Sequence, residues 1–313
     1  QETGRLLFIF LIGAVGTVCG AVLGCWLLGS RIDGLAKVAA MMTGSYIGGG
    51  VNFVALADAF HTEGTLVSAT VVADNLNMAV YFLVLLKCVG SAFFQKHYPH
   101  PHMDRVAREG REDAQTQAAA YWQPKNISLK DIALDLFYAV AVVTLSQNLG
   151  KALGAAIPTG SGLGHMANTF FSSQYVWITL FSMGFATFFE KQAAALAGAQ
   201  EIGTYFIYLF FFAIGVPASI LEILRNAPLL FVFCFLMVVV NMAFCFVGGK
   251  LFHFSLEDIV LASNANIGGP TTAAGMAISQ GWTALVGPSM LVGTFGYVIG
   301  TYLGMVVGGI LGA

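Results

Sequence analysis

Two short stretches of this sequence combine backbone freedom with polar side chains in surroundings that are otherwise apolar. The first, 43–52, carries Ser45, three successive glycines (Gly48, Gly49, Gly50) and Asn52. The second, 264–272, carries Asn264, Asn266, Gly268, Gly269, Pro270, Thr271 and Thr272. Glycine adopts conformations closed to other residues and lets another group come near, and proline is tolerated at the first position of a helix. Each stretch therefore reads as a break that leaves N–H and C=O groups free. The half-helix that follows a break presents N–H donors and a partial positive charge, which suits an anionic group. On this reading Gly48, Gly49, Gly50, Asn52, Gly268, Gly269, Pro270, Thr271 and Thr272 bind a substrate, while Ser45, Asn264 and Asn266 offer oxygens to a coupling cation. The competing reading makes them close-packing sites between helices.

A third feature lies between the two. Asp74 and Asn75 stand in the middle of an apolar span, 65–86, with Asn77 close by. A carboxylate inside a membrane is costly and is by default a functional candidate. Asp74, with Asn75, would take a proton, ligate sodium or pair with a cation; a structural ion pair or an aqueous vestibule is the alternative. The remaining acids read differently. Asp58 caps a half-helix or faces solvent, Glu190 and Lys191 form an interfacial pair, and Glu257 with Asp258 suits a helix start.

The elements that must position these residues are membrane spans. Of 313 residues, 57% are hydrophobic and 10% are charged, against about 25% charged in soluble domains. Uncharged runs at 6–28, 202–221 and 229–249 approach the length needed to cross a bilayer. The chain reads as an all-α polytopic membrane protein of the cell (inner) membrane. Its expected order is span 6–28, broken segment 35–59, span 65–86, polar loop 91–126, spans 132–149, 175–189 and 202–221 (bent at Pro217), span 229–249, broken segment 256–278 and span 283–311. A net charge of −2 gives no reason to expect nucleic acid.

The order span, break, span occurs twice. Leu6-Leu7-Phe8 matches Leu229-Leu230-Phe231 at an offset of 223, and Ile47-Gly48-Gly49 matches Ile267-Gly268-Gly269 at an offset of 220. The units are a first repeat (1–90), a loop (91–126), linking spans (127–225) and a second repeat (226–313). Paired breaks at matching places in two repeats are the sequence pointer to a transporter's binding site. The loop is the most basic stretch and is expected in the cytoplasm. If the breaks are re-entrant hairpins, the repeats are inverted, with the first hairpin entering from outside and the second from the cytoplasm. If they cross as broken helices, the repeats run parallel, unless span 132–149 or 175–189 fails to cross; hairpins are the favoured expectation.

Other chemistry is thinly represented. The five cysteines lie in or beside apolar spans without a CxxC pair, so neither a disulfide framework nor a zinc site is indicated. His97, His100 and His102 cluster in the polar loop as a weak metal signal, and His61, His165 and His253 stand alone near span ends. No HExxH, GxSxG or Walker sequence occurs, which argues against a metalloprotease or an ATP-driven pump. The start at Gln1 shows no signal peptide, and the expectation is that further spans precede it.

Glu2-Thr3-Gly4-Arg5-Leu6-Leu7, the run from Met42 to Leu56, Ala73-Asp74-Asn75 and the run from Ser263 to Ala273 resemble the YjcL-like family of multi-pass membrane proteins. The resemblance extends over essentially the whole chain. It implies kinship with cation:proton antiporters and with sodium symporters of bile acids and glutamate. It further implies inverted structural repeats, a mobile core on a static scaffold and an elevator-type transporter, but no substrate.

The leading expectation is a secondary active transporter, a sodium- or proton-coupled symporter of a small organic anion. A monovalent cation/proton antiporter with Asp74 as carrier is the alternative, and a non-transporting receptor or scaffold the third. No nucleophile–base pair suggests an enzyme. No cofactor is expected beyond a coupling Na+ or H+. The expected partners are a small-molecule or ion substrate, the lipid bilayer and a second copy in a homodimer.

Overall fold

The computed structural model describes residues 2–109, 126–158, 162–199 and 220–313, together with 201–203, 205, 206, 209 and 212. Every regular element among them is helical, in the order α1 (Glu2–Leu28), α2 (Leu35–Gly48), α3 (Gly50–Ala59), α4 (Gly64–Gly90), α5 (Ala92–His97), α6 (Pro101–Glu109), α7 (Leu129–Ala156), α8 (Gly162–Ser172), α9 (Gln174–Phe188), α10 (Glu190–Ala194), α11 (Ile220–Leu251), α12 (Leu256–Ile267), α13 (Gly269–Ser279) and α14 (Thr283–Leu311). Five of these helices, α1, α4, α7, α11 and α14, are long and apolar enough to cross a membrane. The span expected at 202–221 and its bend at Pro217 lie largely outside the described residues.

Helix ends follow local chemistry. Ser128 and Asp131 form a reciprocal capping box that opens α7, with Asp131 accepting from the Ser128 N–H at 2.8 Å. Ser255 caps α12 by accepting the Asp258 N–H at 3.1 Å. Pro270 stands in the first turn of α13, where its missing N–H costs nothing.

Both broken segments fold back on themselves. The interruptions fall at Gly49 (φ 77°) and Gly269 (φ 83°), a region that glycine enters without a Cβ penalty. α14 serves as the ruler for the first. Climbing α14 from Gly296 to Gly304, its neighbours on α2 descend from the Ile47 carbonyl, through Gly48 and Gly44, to the Ala40 carbonyl. Its neighbours on the α3 strand of chain climb instead, from Asn52 to Leu56 and on to Phe60 beside Gly308. α2 and α3 are therefore antiparallel, a hairpin lying along the C-terminal half of α14. In the second segment the Asn264 side chain bonds both Thr272 and Met276, which sets α12 antiparallel to α13. α13 then turns into the N-terminal half of α14, with Pro270 against Gly293.

The hairpins thus approach α14 from opposite ends, and their tips meet at its middle. Tyr297 lies between them. Its ring comes within 3.1 Å of where a side chain at Gly49 would begin, and its hydroxyl within 4.0 Å of the same point at Gly269. α11 packs along α1 and α4, while α2 packs chiefly on α14, so each half of the chain leans on helices of the other.

The stretch after α4 corrects one expectation. Instead of a loop from 91, it forms α5 and α6, which strap the base of the second hairpin. The Pro99 carbonyl accepts the Leu256 N–H at 2.8 Å, Glu257 accepts the Met103 N–H at 2.9 Å, and Lys250 reaches the His97 carbonyl. Arg105 meets Thr283 at the start of α14. The basic segment therefore stands at the end of the molecule from which the second hairpin enters. Residues 110–125 lie outside the description.

Close contact between α14 and the first hairpin depends on glycine. A Cβ at Gly300 would lie 2.9 Å from the Gly44 carbonyl oxygen and 3.0 Å from the Gly48 Cα. Gly300→Leu is expected to lower stability by about 1–3 kcal/mol or more, whereas Gly275→Ala, with nothing within 4 Å of its added methyl, should leave it unchanged. Thermal unfolding of the purified variants in detergent separates the two.

Candidate functional site

The polar residues singled out from sequence fall into two groups. The first surrounds the hairpin tips. Gly48 is buried against Asn52, leaving no room for a Cβ, while Gly49 is half-buried and Gly50 is exposed to open space. The first N–H groups of α3 thus begin at an open corner, the arrangement that favours an anion. Asn52 is buried, accepts the Thr301 hydroxyl at 2.7 Å and has no partner for its amide nitrogen among the described residues. Ser45 is buried, and its carbonyl accepts the Gly49 N–H at 2.7 Å.

At the second tip Gly269 and Pro270 are buried, and Gly268, Thr271 and Thr272 are half-buried. Thr272 donates its hydroxyl to Asn264 at 3.0 Å, and the Asn264 amide returns a bond to the Thr272 carbonyl at 3.2 Å. At the offset of 220, Gly44 corresponds to Asn264 and Asn52 to Thr272. The two hairpins use this pair of positions differently: Asn264 and Thr272 bond across the legs of the second, whereas Asn52 packs beside Gly44 and bonds Thr301 on α14. The amide stands on the second leg in one and on the first leg in the other.

The second group is a chain of buried hydrogen bonds that starts at Asp74. The Tyr46 hydroxyl donates to Asp74 Oδ1 at 2.7 Å, and the Asn77 amide donates to the Tyr46 oxygen at 3.0 Å. Asn77 is buried, and its Oδ1 has no partner among the described residues. Through its carbonyl Tyr46 meets the Thr17 hydroxyl at 3.4 Å. Asn241 donates to Thr17 at 3.0 Å and to the Gly13 carbonyl at 2.9 Å, and accepts the Ser263 hydroxyl at 2.9 Å. Tyr81 closes the chain at Ser263, 2.9 Å away. Asp74, Asn77 and Tyr81 share one face of α4 by helical spacing. That face thus bonds the first hairpin through Tyr46 and the second through Ser263.

Among the described residues Asp74 has no cationic partner. Tyr46, three residues before Gly49, links it to the first tip. Asn75 is exposed on the neighbouring side of α4, with no hydrogen bond among the described residues. Asn266 is buried and holds the Phe10 carbonyl at 3.0 Å, with its Oδ1 unpartnered. Chemically, the Asp74 end offers acceptor oxygens suited to a proton or a cation, and the open corner at Gly50 offers donors suited to an anion.

Several expectations about secondary residues change. Asp58 is more than a cap, because it accepts the Tyr175 hydroxyl of α9 at 2.9 Å. Asp258 pairs with Arg5 at 3.3 Å and is buried beside Glu257, so these acids anchor the second hairpin's base in addition to starting α12. His97 meets the Phe93 carbonyl and His100 meets Asp104, so the two rings turn to separate partners. Among the described residues no group of three metal-ligating side chains converges. Sequence reading passed over Tyr46, Thr17, Asn241, Ser263, Tyr81 and Tyr297. For Tyr81 the signal was available, since it follows Asp74 and Asn77 at helical spacing within one apolar span.

The whole chain, residues 1–313, matches the family model described as protein of unknown function (DUF819). It is 44% identical over 308 residues to the uncharacterized membrane protein YjcL of Bacillus subtilis (strain 168), covering 98% of this chain and 76% of that protein.

Tyr46→Phe strips Asp74 of its donor while keeping the ring, and should cost about 1–3 kcal/mol. Asp74→Asn keeps an acceptor oxygen for Tyr46 and should cost less. The double variant should be no less stable than Tyr46→Phe alone, read by thermal unfolding; full additivity would show that the two side chains do not act on each other.

Proposed function

The chain belongs to the DUF819 family of multi-pass membrane proteins, and from that premise we propose that it is a secondary active transporter. The proposed activity is symport of a small organic anion, coupled to sodium or protons, by alternating access. One observation carries this reading: two helical hairpins enter from opposite ends of a membrane-length helix and meet tip to tip at its middle. Irregular backbone at membrane depth is stable only where protein or a watered cavity covers it, and such breaks line the binding sites of transporters.

On this proposal α1–α4 and α11–α14 are inverted repeats. The basic segment faces the cytoplasm, as the bias of Lys and Arg favours, so the second hairpin enters from that side and the first from outside. The N-terminus of α3 receives the anion at the tips, with Gly49, Gly50, Gly269, Thr271 and Thr272 around it. Asp74 carries the coupling ion, and Tyr46 relays its occupancy to the first tip. The two repeats form the moving body of an elevator and α7–α10 its fixed support, arranged in a homodimer. No enzymatic step and no cofactor enter this scheme.

A second reading, cation/proton antiport, draws on the separation of Asp74 from the tips. Among the described residues its hydrogen-bonded link to them is Tyr46, so ion exchange needs no organic substrate.

An ion that binds the folded state alone raises apparent stability by mass action. Under symport, sodium or protons should stabilise the purified protein, a small acid should add to that effect, and Asp74→Asn should abolish both the ion effect and coupled uptake into vesicles. Antiport instead predicts proton-linked cation flux, lost in Asp74→Asn, with no acid effect. A protein that shows neither flux nor ion-dependent stability would be a receptor or scaffold.

A further inference from the structure

A cavity of about 400 Å³ lies where the base of the first hairpin meets α7 and α9. Asp58 and His61 line it from the hairpin, Gln147 and Lys151 from α7, and Gln174 and Tyr175 from the start of α9. None of these residues belongs to the tips or to the Asp74 chain. Met305 also borders the cavity, which places it toward the C-terminal end of α14, away from the basic segment at Thr283.

Part of the acceptor set around this cavity is already engaged. The Asp58 carboxylate takes the Tyr175 hydroxyl at 2.9 Å. The carbonyls at the end of α7 are closed off by Asn168, whose amide nitrogen donates to Gly154 at 2.7 Å and to Ile157 at 2.8 Å. The donors are not engaged in the same way. Lys151 has no ion-pair or hydrogen-bond partner among the described residues. Ser173, the N-cap of the 15-residue α9, makes no side-chain cap bond, and its buried hydroxyl has no partner among the described residues. The first N–H groups of α9 therefore keep their donors and their positive partial charge at the cavity wall. The Lys151 ammonium, the α9 N-terminus and the Gln147 amide attract negative charge, against the charge of the Asp58 carboxylate in the same lining, while the Gln174 side chain bonds Tyr175. By contrast, the groove formed by Ile132, Leu136, Glu201, Ile202, Tyr205 and Phe206 presents almost only carbon to a ligand.

We propose that this cavity binds a small organic acid, with its carboxylate held between Lys151 and the N-terminus of α9. As the place where the acid first meets the protein, on the side from which the first hairpin enters, the site rests on the symport reading. As a binding site it stands by itself. Because its walls come from both the hairpin and α9, an acid seated there bridges the two bodies.

The test is calorimetric titration of the purified full chain in lipid-free detergent with succinate as the probe, beside Lys151→Gln, Lys151→Arg and Gln147→Ala. Succinate should bind the unaltered protein, bind Lys151→Gln about tenfold more weakly, as loss of one charge-assisted bond requires, and bind Lys151→Arg nearly as well. Gln147→Ala should weaken binding by a smaller factor, and it reads the same site if Lys151→Gln fails to fold. Absence of succinate binding, or equal binding in all variants, overturns the proposal. So does stabilisation by phosphatidylglycerol vesicles in place of succinate. Lys151-dependent binding without any uptake into vesicles would instead sink the symport reading and leave this site standing.

Discussion

A helix that stops halfway through a bilayer leaves four carbonyls or four N–H groups with no water to receive them. Among the described residues four helix ends lie beside the middle of the membrane-length α14, at Gly48, Gly50, Ile267 and Gly269. The rest of the structure is organised around covering them. α14 does most of this work, because Gly296, Gly300, Gly304 and Gly308 present a side-chain-free edge against which the first hairpin lies at van der Waals distance. Gly293 does the same for Pro270 at the second tip. The arrangement holds both breaks at one depth, which is what makes a composite site between them feasible.

The buried polar chain solves a second problem, the holding of two hairpins at fixed register without a rigid covalent link. Apolar packing between helices is weakly directional in lipid, whereas hydrogen bonds in a dry interior are directional and costly to leave unmade. Asp74, Asn77 and Tyr81 place three such bonds on one face of α4. α4 therefore touches the first hairpin at Tyr46 and the second at Ser263, and Asn241 of α11 joins the two branches through Thr17. A change of charge at Asp74 acts first on the Tyr46 bond and so on the leg that ends at Gly49. That is a physical route from Asp74 to a tip, and it uses residues that a motif reading does not reveal.

The hairpins also show how one geometry can be kept while its chemistry is exchanged. Gly44 and Asn52 in the first hairpin stand where Asn264 and Thr272 stand in the second. In the first, the amide of Asn52 fills the space that Gly44 and Gly48 vacate and bonds Thr301 on α14. In the second, the amide of Asn264 crosses directly to Thr272. The first tip is thereby tied to α14 and the second tied within itself.

The sequence alone was enough for the class of molecule and the location of the breaks. An apolar chain with few charges must be in a membrane, and a run such as 43–52 cannot stay helical through Gly48, Gly49 and Gly50. The isolation of Asp74 in an apolar span marked it for the same reason, since charge in lipid is conspicuous. Whether the breaks cross or fold back was undecidable from spacing, because both courses contain the same residues in the same order. Tertiary structure decided it through contacts between Leu56 and Gly304 and between Asn264 and Met276, pairs whose proximity depends on chain reversal. It also decided the partner of Asp74, the docking of 92–109 on the second hairpin and the cavity at Lys151. Each of these joins residues distant in sequence, and local propensity carries no information about which distant surfaces meet.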